Sequence, residues 1–194
     1  MELPIIVVSG LPRSGTSMMM RMLEAGGVDL VVDHKRRADE DNPKGYFEYE
    51  KVKKIKDDAS WLNNIGGKGL KIVSLLLYYL PQTHRYKIVF MERHIQEVLD
   101  SQRKMLERSG QQAQAADDGL LAEKFEAHLK KVSAWIQRQP NVDSLYIGYR
   151  EAIQDPLSKS LQVSEFLEKK LDVNAMAQVV DGSLYRNRHR DLKK

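Results

Sequence analysis

The residues most able to carry chemistry lie between positions 10 and 17, where the chain reads Gly-Leu-Pro-Arg-Ser-Gly-Thr-Ser. Gly10 and Gly15 permit backbone angles and close approaches that a Cβ atom would forbid. The β-branched residues at 5–8 favour a buried strand before this segment, and a Met-rich stretch after it favours a helix. A strand, a turn and a helix start in this order direct backbone N–H groups and the positive end of a helix dipole toward one point. The segment is therefore predicted to be a phosphate-binding loop.

The position of the cation in this loop separates two kinds of phosphate site. A nucleotide P-loop has the pattern G-x-x-x-x-G-K-[ST], in which Lys contacts the β- and γ-phosphates and the hydroxyl binds magnesium. Here Thr16 occupies the Lys position, Ser17 supplies the hydroxyl, and the cation is Arg13 inside the loop. An ATP or GTP site would lose its bridging cation, whereas an anion site with an internal arginine keeps one.

A second candidate anion site combines Arg93 with Ser101, eight residues further along the chain. Arg93 follows an apolar run at residues 87–91, so it is predicted to lie at the carboxyl end of a buried strand. Ser101 lies about two turns into the helix that is expected to follow. Ligands of open α/β sheets bind at the carboxyl ends of strands. An arginine and a hydroxyl at this spacing are suited to holding an anion.

These segments resemble the sulfotransferase family. The run Pro-Arg-Ser-Gly-Thr-Ser resembles the 5′-phosphosulfate loop, P-[KR]-[SG]-G-T-[ST], which binds the phosphosulfate of 3′-phosphoadenylyl sulfate. The form with arginine, before a Met-rich helix, is most similar to tyrosylprotein sulfotransferases and small bacterial sulfotransferase-like proteins. Two later segments, 80–101 and 145–167, resemble the family in the same order. The implied phosphosulfate-binding residues are Arg13, Ser14, Gly15, Thr16 and Ser17.

The two later segments imply the rest of the donor site. In the family, the matching Arg and Ser bind the 3′-phosphate, which assigns that role to Arg93 and Ser101. The segment at 145–156 resembles the family's Y-E-D-L-x-x-D-P run, in which Tyr can lie against the adenine. Tyr149 takes that position here, although Arg150 stands where the family has an acidic residue. Tyr149 is therefore expected to contact adenine or simply to pack in the core.

The resemblance also implies how the sulfuryl group is transferred. Lys71 matches a Lys near the sulfuryl group in cytosolic sulfotransferases, but Val73 stands where those proteins have a His base. Arg13 and Lys71 would stabilise the charge that develops between sulfur and the leaving phosphate. The base is expected to be Glu48, whose segment resembles the N-P-x-G-[YF]-[FW]-E run of small bacterial relatives. Two alternatives for the base remain open, Asp33 and His34.

Composition and charge describe an ordinary globular protein of 194 residues, 42% of them hydrophobic and 30% charged. The 31 Lys and Arg against 27 Asp and Glu give a net charge of +4, which suits a small anionic ligand and does not demand nucleic acid. The chain has no Cys, which excludes disulfides and thiolate metal sites, and no metal is expected at its five scattered His. The N-terminal apolar run is too short for a signal sequence or a membrane span, so a cytoplasmic protein is expected.

Alternating apolar runs and helical periodicities predict an α/β fold, a three-layer sandwich around a central parallel sheet. The resemblance implies a P-loop NTPase-like sulfotransferase core, and residues 1–194 are predicted to be a single domain. Polar segments at 33–50 and 109–119 are expected to shape the acceptor pocket. Strands are expected at 5–8, 28–32, 70–73, 87–91 and 144–149. Helices are expected after the loop and through 52–61, 98–105, 121–136 and 157–171.

The leading hypothesis is a sulfotransferase that moves a sulfuryl group from 3′-phosphoadenylyl sulfate to an acceptor hydroxyl or amine by in-line transfer. The product would be adenosine 3′,5′-diphosphate. The acceptor would be a small molecule or a peptide, with no nucleic-acid or membrane partner, and the oligomeric state is left open. Two alternatives remain: a P-loop small-molecule kinase with a degenerate Walker A motif, and a non-catalytic nucleotide-binding relative. The basic tail either closes over the 3′-phosphate or is a solvated terminus; its cations are Arg186, Arg188 and Arg190.

Overall fold

A parallel sheet of four strands forms the centre of the fold. The computed structural model describes residues 3–40, 42–108 and 118–185. The strands are β1 (Ile5–Gly10), β2 (Gly69–Lys71), β3 (Tyr86–Glu92) and β4 (Val142–Gly148), in the order β2-β1-β3-β4. Every neighbouring pair is parallel, so the carboxyl ends of all four strands meet at one edge. All six residues of β1 are buried, which requires cover on both faces of the sheet.

Helices supply that cover in two layers. Side chains alternate across β1, so Ile6 and Val8 join one core while Ile5 and Val7 join the other. The first core contains α1, α5 and α6, and the second contains α3 and three 3-10 helices. The predicted three-layer α/β sandwich is confirmed. The α-helices are α1 (Thr16–Ala25), α2 (Ile95–Arg108), α3 (Asp118–Gln137), α4 (Tyr149–Gln154), α5 (Pro156–Leu167) and α6 (Val173–Gln178), and the 3-10 helices are Glu50–Lys54, Ser60–Asn64, Ser74–Tyr79 and Gly182–Leu184.

Three predicted elements differ from the structure. Residues 28–32 form no strand, because the edge strand β2 is short and meets this stretch only in a bridge between Leu30 and Gly69. The helix predicted through 52–61 is instead two 3-10 helices. Asp58 interrupts it by accepting hydrogen bonds from the backbone N and the hydroxyl of Ser60. The last strand ends at Gly148, so Tyr149 begins α4.

Two predicted features fall wholly or largely outside the described residues. They are the basic tail and most of the polar segment at 109–119, of which only residues 118 and 119 are described, at the start of α3. Among the helices that are described, none is long and apolar enough to cross a membrane.

Candidate functional site

The predicted phosphate loop joins β1 to α1 in a conformation that depends on its two glycines. Gly10 has φ +146° and Gly15 has φ +100°, angles that L side chains rarely adopt. A Cβ atom on Gly10 would lie within 3.0 Å of the Ser14 hydroxyl, and one on Gly15 would overlap the Tyr149 ring. Arg13 also has a positive φ, 73°. Such strained residues cluster at ligand sites, so the loop has the backbone expected of a binding loop.

The loop ends at a helix N-terminus that has no side-chain cap. Gly15 is the N-cap of α1, and its carbonyl accepts hydrogen bonds from the N–H groups of Met18 and Met19 at 3.0 and 3.2 Å. The N–H groups of Thr16 and Ser17 lie in the first turn, where a helix supplies no backbone acceptor. These donors and the helix dipole favour an anion at this position.

A cavity of about 700 Å³ opens beside the loop and brings the predicted site residues together. Ser14 is the exception: it is buried under Gly10, and its hydroxyl has no hydrogen-bond partner among the described residues. The predicted residues that line the cavity are Arg13, Gly15, Thr16, Ser17, Glu48, Lys71, Arg93, Ser101 and Tyr149.

The cavity is much more basic than the chain as a whole. Its described lining has eight Lys or Arg side chains and two acidic ones, whereas the whole chain has a net charge of +4. This excess makes the cavity a site for a polyanion. Among the described residues, no group of three or more His, Cys, Asp or Glu is arranged to hold a metal ion. The eight cations are Arg13, Arg21, Arg36, Lys53, Lys71, Arg93, Lys104 and Arg108, and the acids are Glu48 and Asp181.

The two predicted anion sites are joined through Arg13. Its Nε donates to the hydroxyl of Ser101 at 3.0 Å, and its carbonyl accepts a hydrogen bond from Nη1 of Arg93 at 3.0 Å. The resemblance implied separate roles for the loop and for the Arg93–Ser101 pair. The structure places them in direct contact, so the two predicted anion sites share Arg13.

Arg93 lies in a buried network whose other members sequence reasoning missed. Its Nε donates to Glu97 at 3.0 Å, and Glu97 accepts a second hydrogen bond from the Tyr185 hydroxyl at 2.6 Å. The Arg93 guanidinium lies 4.6 Å from the ring centroid of Tyr149 and 5.5 Å from that of Tyr185. The spacing of four residues between Arg93 and Glu97 was a local signal for their pairing, although Arg93 lies just before α2 begins. Tyr185 had no such signal.

Lys71 is the last residue of β2, which ends two residues earlier than the strand predicted at 70–73, and its side chain is buried. Its Nζ donates to the carbonyl of Tyr46 and lies 3.7 Å from Oε1 of Glu48. Burial is the main cause that lowers the pKa of Lys71 to about 8, and the Glu48 carboxylate partly opposes it. Lys71 is thus a cation in the cavity that loses its proton at moderately alkaline pH.

Glu48 is the base candidate that lines the cavity. Its Oε1 accepts a hydrogen bond from Nη1 of Arg36 at 2.9 Å, and Arg36 in turn stacks with its guanidinium 3.4 Å from the ring centroid of Tyr46. Sequence reasoning missed Arg36. The carboxylate is therefore held between two cations, Arg36 and Lys71, at the cavity wall.

The two alternative bases lie outside the cavity lining. Asp33 accepts hydrogen bonds from the backbone N–H groups of Lys35 and Glu50 at 3.1 and 2.7 Å. The bond from Glu50 is the main cause that lowers the pKa of Asp33, so this carboxylate caps a turn. His34 is exposed to solvent. Of the three candidates, the geometry favours Glu48.

The polar segment at 33–50 is fastened to the phosphate loop. Nδ2 of Asn42 donates to the Ser17 hydroxyl at 3.0 Å, and that hydroxyl donates to the Tyr46 carbonyl at 3.4 Å. The same carbonyl accepts a hydrogen bond from the ammonium of Lys71. One backbone oxygen therefore links the loop, β2 and this segment. Asn42 opens the segment that resembles the N-P-x-G-[YF]-[FW]-E run, but the sequence did not predict its bond to Ser17.

The cavity is also lined in part by apolar side chains. Val73, which stands where cytosolic sulfotransferases have their His, lines it together with residues from two 3-10 helices and α2. These three elements contribute the apolar residues Val52, Leu76 and Met105, and they also contribute the cations Lys53, Lys104 and Arg108.

Comparison with known proteins identifies the family. The model of the Sulfotransferase domain family matches residues 3–190. The chain belongs to the sulfotransferase family. This sulfotransferase matches no curated protein sequence. The family prediction is confirmed, and with it the assignment of the chain to the transferases.

Solved structures agree on the fold. The sulfotransferase domain of the Synechococcus PCC 7002 olefin synthase has a TM-score of 0.56 at 13% identity, over 98% of this chain and 82% of its own. The sulfotransferase domain of the curacin biosynthetic pathway has a TM-score of 0.55 at 16% identity, over 95% and 80%. Sulfotransferase STF9 from Mycobacterium avium has a TM-score of 0.55 at 15% identity, over 97% and 69%. The predicted sulfotransferase core is confirmed, whereas the donor and the individual residue roles stay predictions.

Proposed function

We propose that this sulfotransferase takes its sulfuryl group from 3′-phosphoadenylyl sulfate and transfers it to an acceptor hydroxyl or amine. The observation that carries the proposal is the convergence of the predicted loop, Arg93–Ser101 and Lys71–Glu48 on one strongly basic cavity. The cavity volume of about 700 Å³ is in the range of small-molecule sites. A donor with a phosphosulfate and a separate phosphate matches its excess of cations.

On the donor side, the N–H groups at the start of α1 and Arg13 would hold the phosphosulfate. Ser101 and Arg93 would hold the 3′-phosphate. Tyr149 packs against Gly15 and under Arg93. Its ring therefore lies between the loop proposed to hold the phosphosulfate and the arginine proposed to hold the 3′-phosphate. The donor supplies the sulfuryl group itself, and these residues bind and orient it.

On the acceptor side, Arg13 and Lys71 would stabilise the negative charge that develops as the leaving phosphate departs. Glu48 would take the proton of the acceptor hydroxyl or amine. The apolar side chains of the lining, among them Val73, would limit the access of water to the reacting atoms. We further propose a small-molecule or peptide acceptor rather than a nucleic acid or a membrane, a cytoplasmic location, and a single working domain over residues 1–194.

The decisive experiment is a calorimetric titration with adenosine 3′,5′-diphosphate, ADP and ATP with magnesium. The 3′,5′-diphosphate is expected to bind most tightly and without metal. Arg13→Ala and Arg93→Ala are expected to weaken it, whereas Arg138→Ala, an exposed arginine outside the cavity lining, serves as the matched control. Equal affinity for ADP would contradict a 3′-phosphate site. Magnesium-dependent preference for ATP would support the kinase alternative.

Turnover separates an enzyme from a non-catalytic relative. The protein is incubated with 35S-labelled donor and a panel of hydroxyl and amine acceptors, and labelled products are counted. Transfer to at least one acceptor is expected, with loss in Lys71→Met. Tight binding of adenosine 3′,5′-diphosphate without transfer to any acceptor or to water would favour the non-catalytic alternative.

A further inference from the structure

Arg21 is a cavity residue to which neither the sequence motifs nor the family resemblance gives a role. It lies on α1 four residues after Ser17, and both line the cavity. Residues at this spacing share one helix face, and long side chains lean toward the helix N-terminus. Arg21 therefore extends along α1 toward the phosphate loop.

The guanidinium of Arg21 carries buried donors with no partner. Its Nε and Nη1 atoms are shielded from solvent and make no hydrogen bond with any described residue. Buried polar groups in native proteins are nearly always paired with protein, water or a ligand. Burial is also the main cause that lowers the pKa of Arg21. An arginine nevertheless stays protonated, so a charged side chain with unused donors is part of the cavity lining.

The acidic group that most affects Arg21 is committed to other residues. Asp181 is paired through Oδ2 with the Lys44 ammonium at 2.9 Å. Its Oδ1 accepts from the backbone N and the hydroxyl of Ser183 at 3.0 and 2.6 Å. Asp181 therefore leaves the buried donors of Arg21 without a partner.

Arg93 presents the opposite case. Its Nε is bound to the buried carboxylate of Glu97 and its Nη1 to the carbonyl of Arg13, so much of its charge and donor capacity is used within the protein. The Tyr149 ring lies against Arg93 and is also within electrostatic range of Arg21. Both arginines line the cavity, and Arg21 is the one whose Nε and Nη1 have no partner among the described residues.

We propose that Arg21, as a cation of the cavity lining, binds a phosphate group of the donor nucleotide through its guanidinium. The inference rests on the proposed function, since it takes the ligand to be a nucleotide. A phosphate is the partner that satisfies both the charge and the orphaned donors, because guanidinium–phosphate bonds are among the strongest in proteins. The phosphate can be the 3′ or the 5′ group, and ligands with one of each distinguish them.

The test is a calorimetric titration of wild type, Arg21→Met and Arg21→Lys with three nucleotides: adenosine 3′,5′-diphosphate, adenosine 5′-monophosphate and adenosine 3′-monophosphate. Met keeps the packing of the aliphatic stem, and Lys keeps the charge. Arg21→Met is expected to bind the diphosphate roughly 10- to 100-fold more weakly, with the same loss for one monophosphate and little for the other. Arg21→Lys is expected to lie in between, and Arg138→Ala to match wild type.

Other results overturn the assignment. An equal loss for all three nucleotides would mean a contact with the adenosine portion, and no loss would mean that Arg21 binds nothing there. Ligand-free Arg21→Met is expected to unfold at the same urea concentration as wild type or higher, because an unsatisfied buried charge has been removed. A lower midpoint with unchanged binding would show a structural role. If wild type binds none of the three nucleotides, it is the proposed function that fails.

Discussion

Replacing Gly15 with alanine tests the geometry on which the loop depends. The new Cβ would meet two separate penalties. One is the positive φ of +100°, which costs a residue with a side chain about 1–2 kcal/mol. The other is overlap with the Tyr149 ring, which cannot move freely because it packs edge-on against Tyr185 at 5.3 Å and under Arg93. Forced overpacking of this kind costs about 1–3 kcal/mol. Gly15→Ala should therefore lower the free energy of unfolding by about 2–5 kcal/mol.

Gly27, which lies just after the C-terminal end of α1, offers a matched control. It has φ +94°, and a Cβ there would meet nothing within 4 Å. Gly27→Ala keeps the strain without the overlap, so it should cost only about 1–2 kcal/mol. Equilibrium urea unfolding separates the backbone strain from the overlap. It compares wild type with Gly15→Ala, Gly27→Ala, Tyr149→Ala and the double variant Gly15→Ala/Tyr149→Ala. The double variant should cost less than the two single changes added together, because the overlap is gone.

Two results would refute the overlap between a Cβ at Gly15 and the Tyr149 ring. One is that Gly15→Ala is no more destabilising than Gly27→Ala, and the other is that the effects of Gly15→Ala and Tyr149→Ala are additive. Binding adds a second readout. Gly15→Ala should weaken the binding of adenosine 3′,5′-diphosphate, because the loop N–H groups no longer converge. Gly27→Ala should leave the affinity for this nucleotide unchanged.

Three further predictions follow from the site. Since burial lowers the pKa of Lys71 to about 8 from an ordinary 10.5, the unfolded chain binds more protons between these values. Relative to Lys71→Met, the free energy of unfolding should therefore rise with pH across that window, by up to about 3 kcal/mol. Below pH 8 the difference between the two proteins should not change with pH. Urea unfolding at several pH values measures both. Glu48→Gln should lower kcat about 10²- to 10⁴-fold with unchanged affinity for adenosine 3′,5′-diphosphate, whereas Asp33→Asn should leave kcat nearly unchanged; equal effects would remove Glu48 as the base. Glu97→Ala strands the Arg93 guanidinium and should cost roughly 3–5 kcal/mol, against about 1–2 kcal/mol for Tyr185→Phe in the same unfolding assay; similar losses would argue against a buried ion pair.

Local pattern was enough to predict the parts of the site that depend on short-range structure. The two glycines and Arg13 identified the loop, and the apolar run before Arg93 placed that side chain at the carboxyl end of β3. Each of these features is encoded within about ten residues of sequence. The three-layer fold followed for the same reason, because the alternation of apolar runs and helical periodicities is also local.

What the sequence did not predict depends on long-range pairing. Tyr185 reaches Glu97 across 88 residues, and nothing near either one indicates the other. The link between Arg13 and Ser101 also spans 88 residues. The helix predicted through 52–61 is wrong for a different reason, since the hydrogen bonds that Asp58 accepts from Ser60 outweigh a helical apolar pattern. The role of Arg36 was hidden because its partner Glu48 lies twelve residues away across an irregular segment.

The contact between Gly15 and Tyr149 has a consequence for the order of folding. The phosphate loop is encoded near the N-terminus, yet Tyr149 begins the helix after the last strand. Contacts of high sequence separation close late, because loop entropy is lost before they form. We therefore expect the loop to reach its final shape only after β4 has joined the sheet. A nascent or truncated chain that ends before Tyr149 carries every residue of the loop and should still fail to bind the nucleotide.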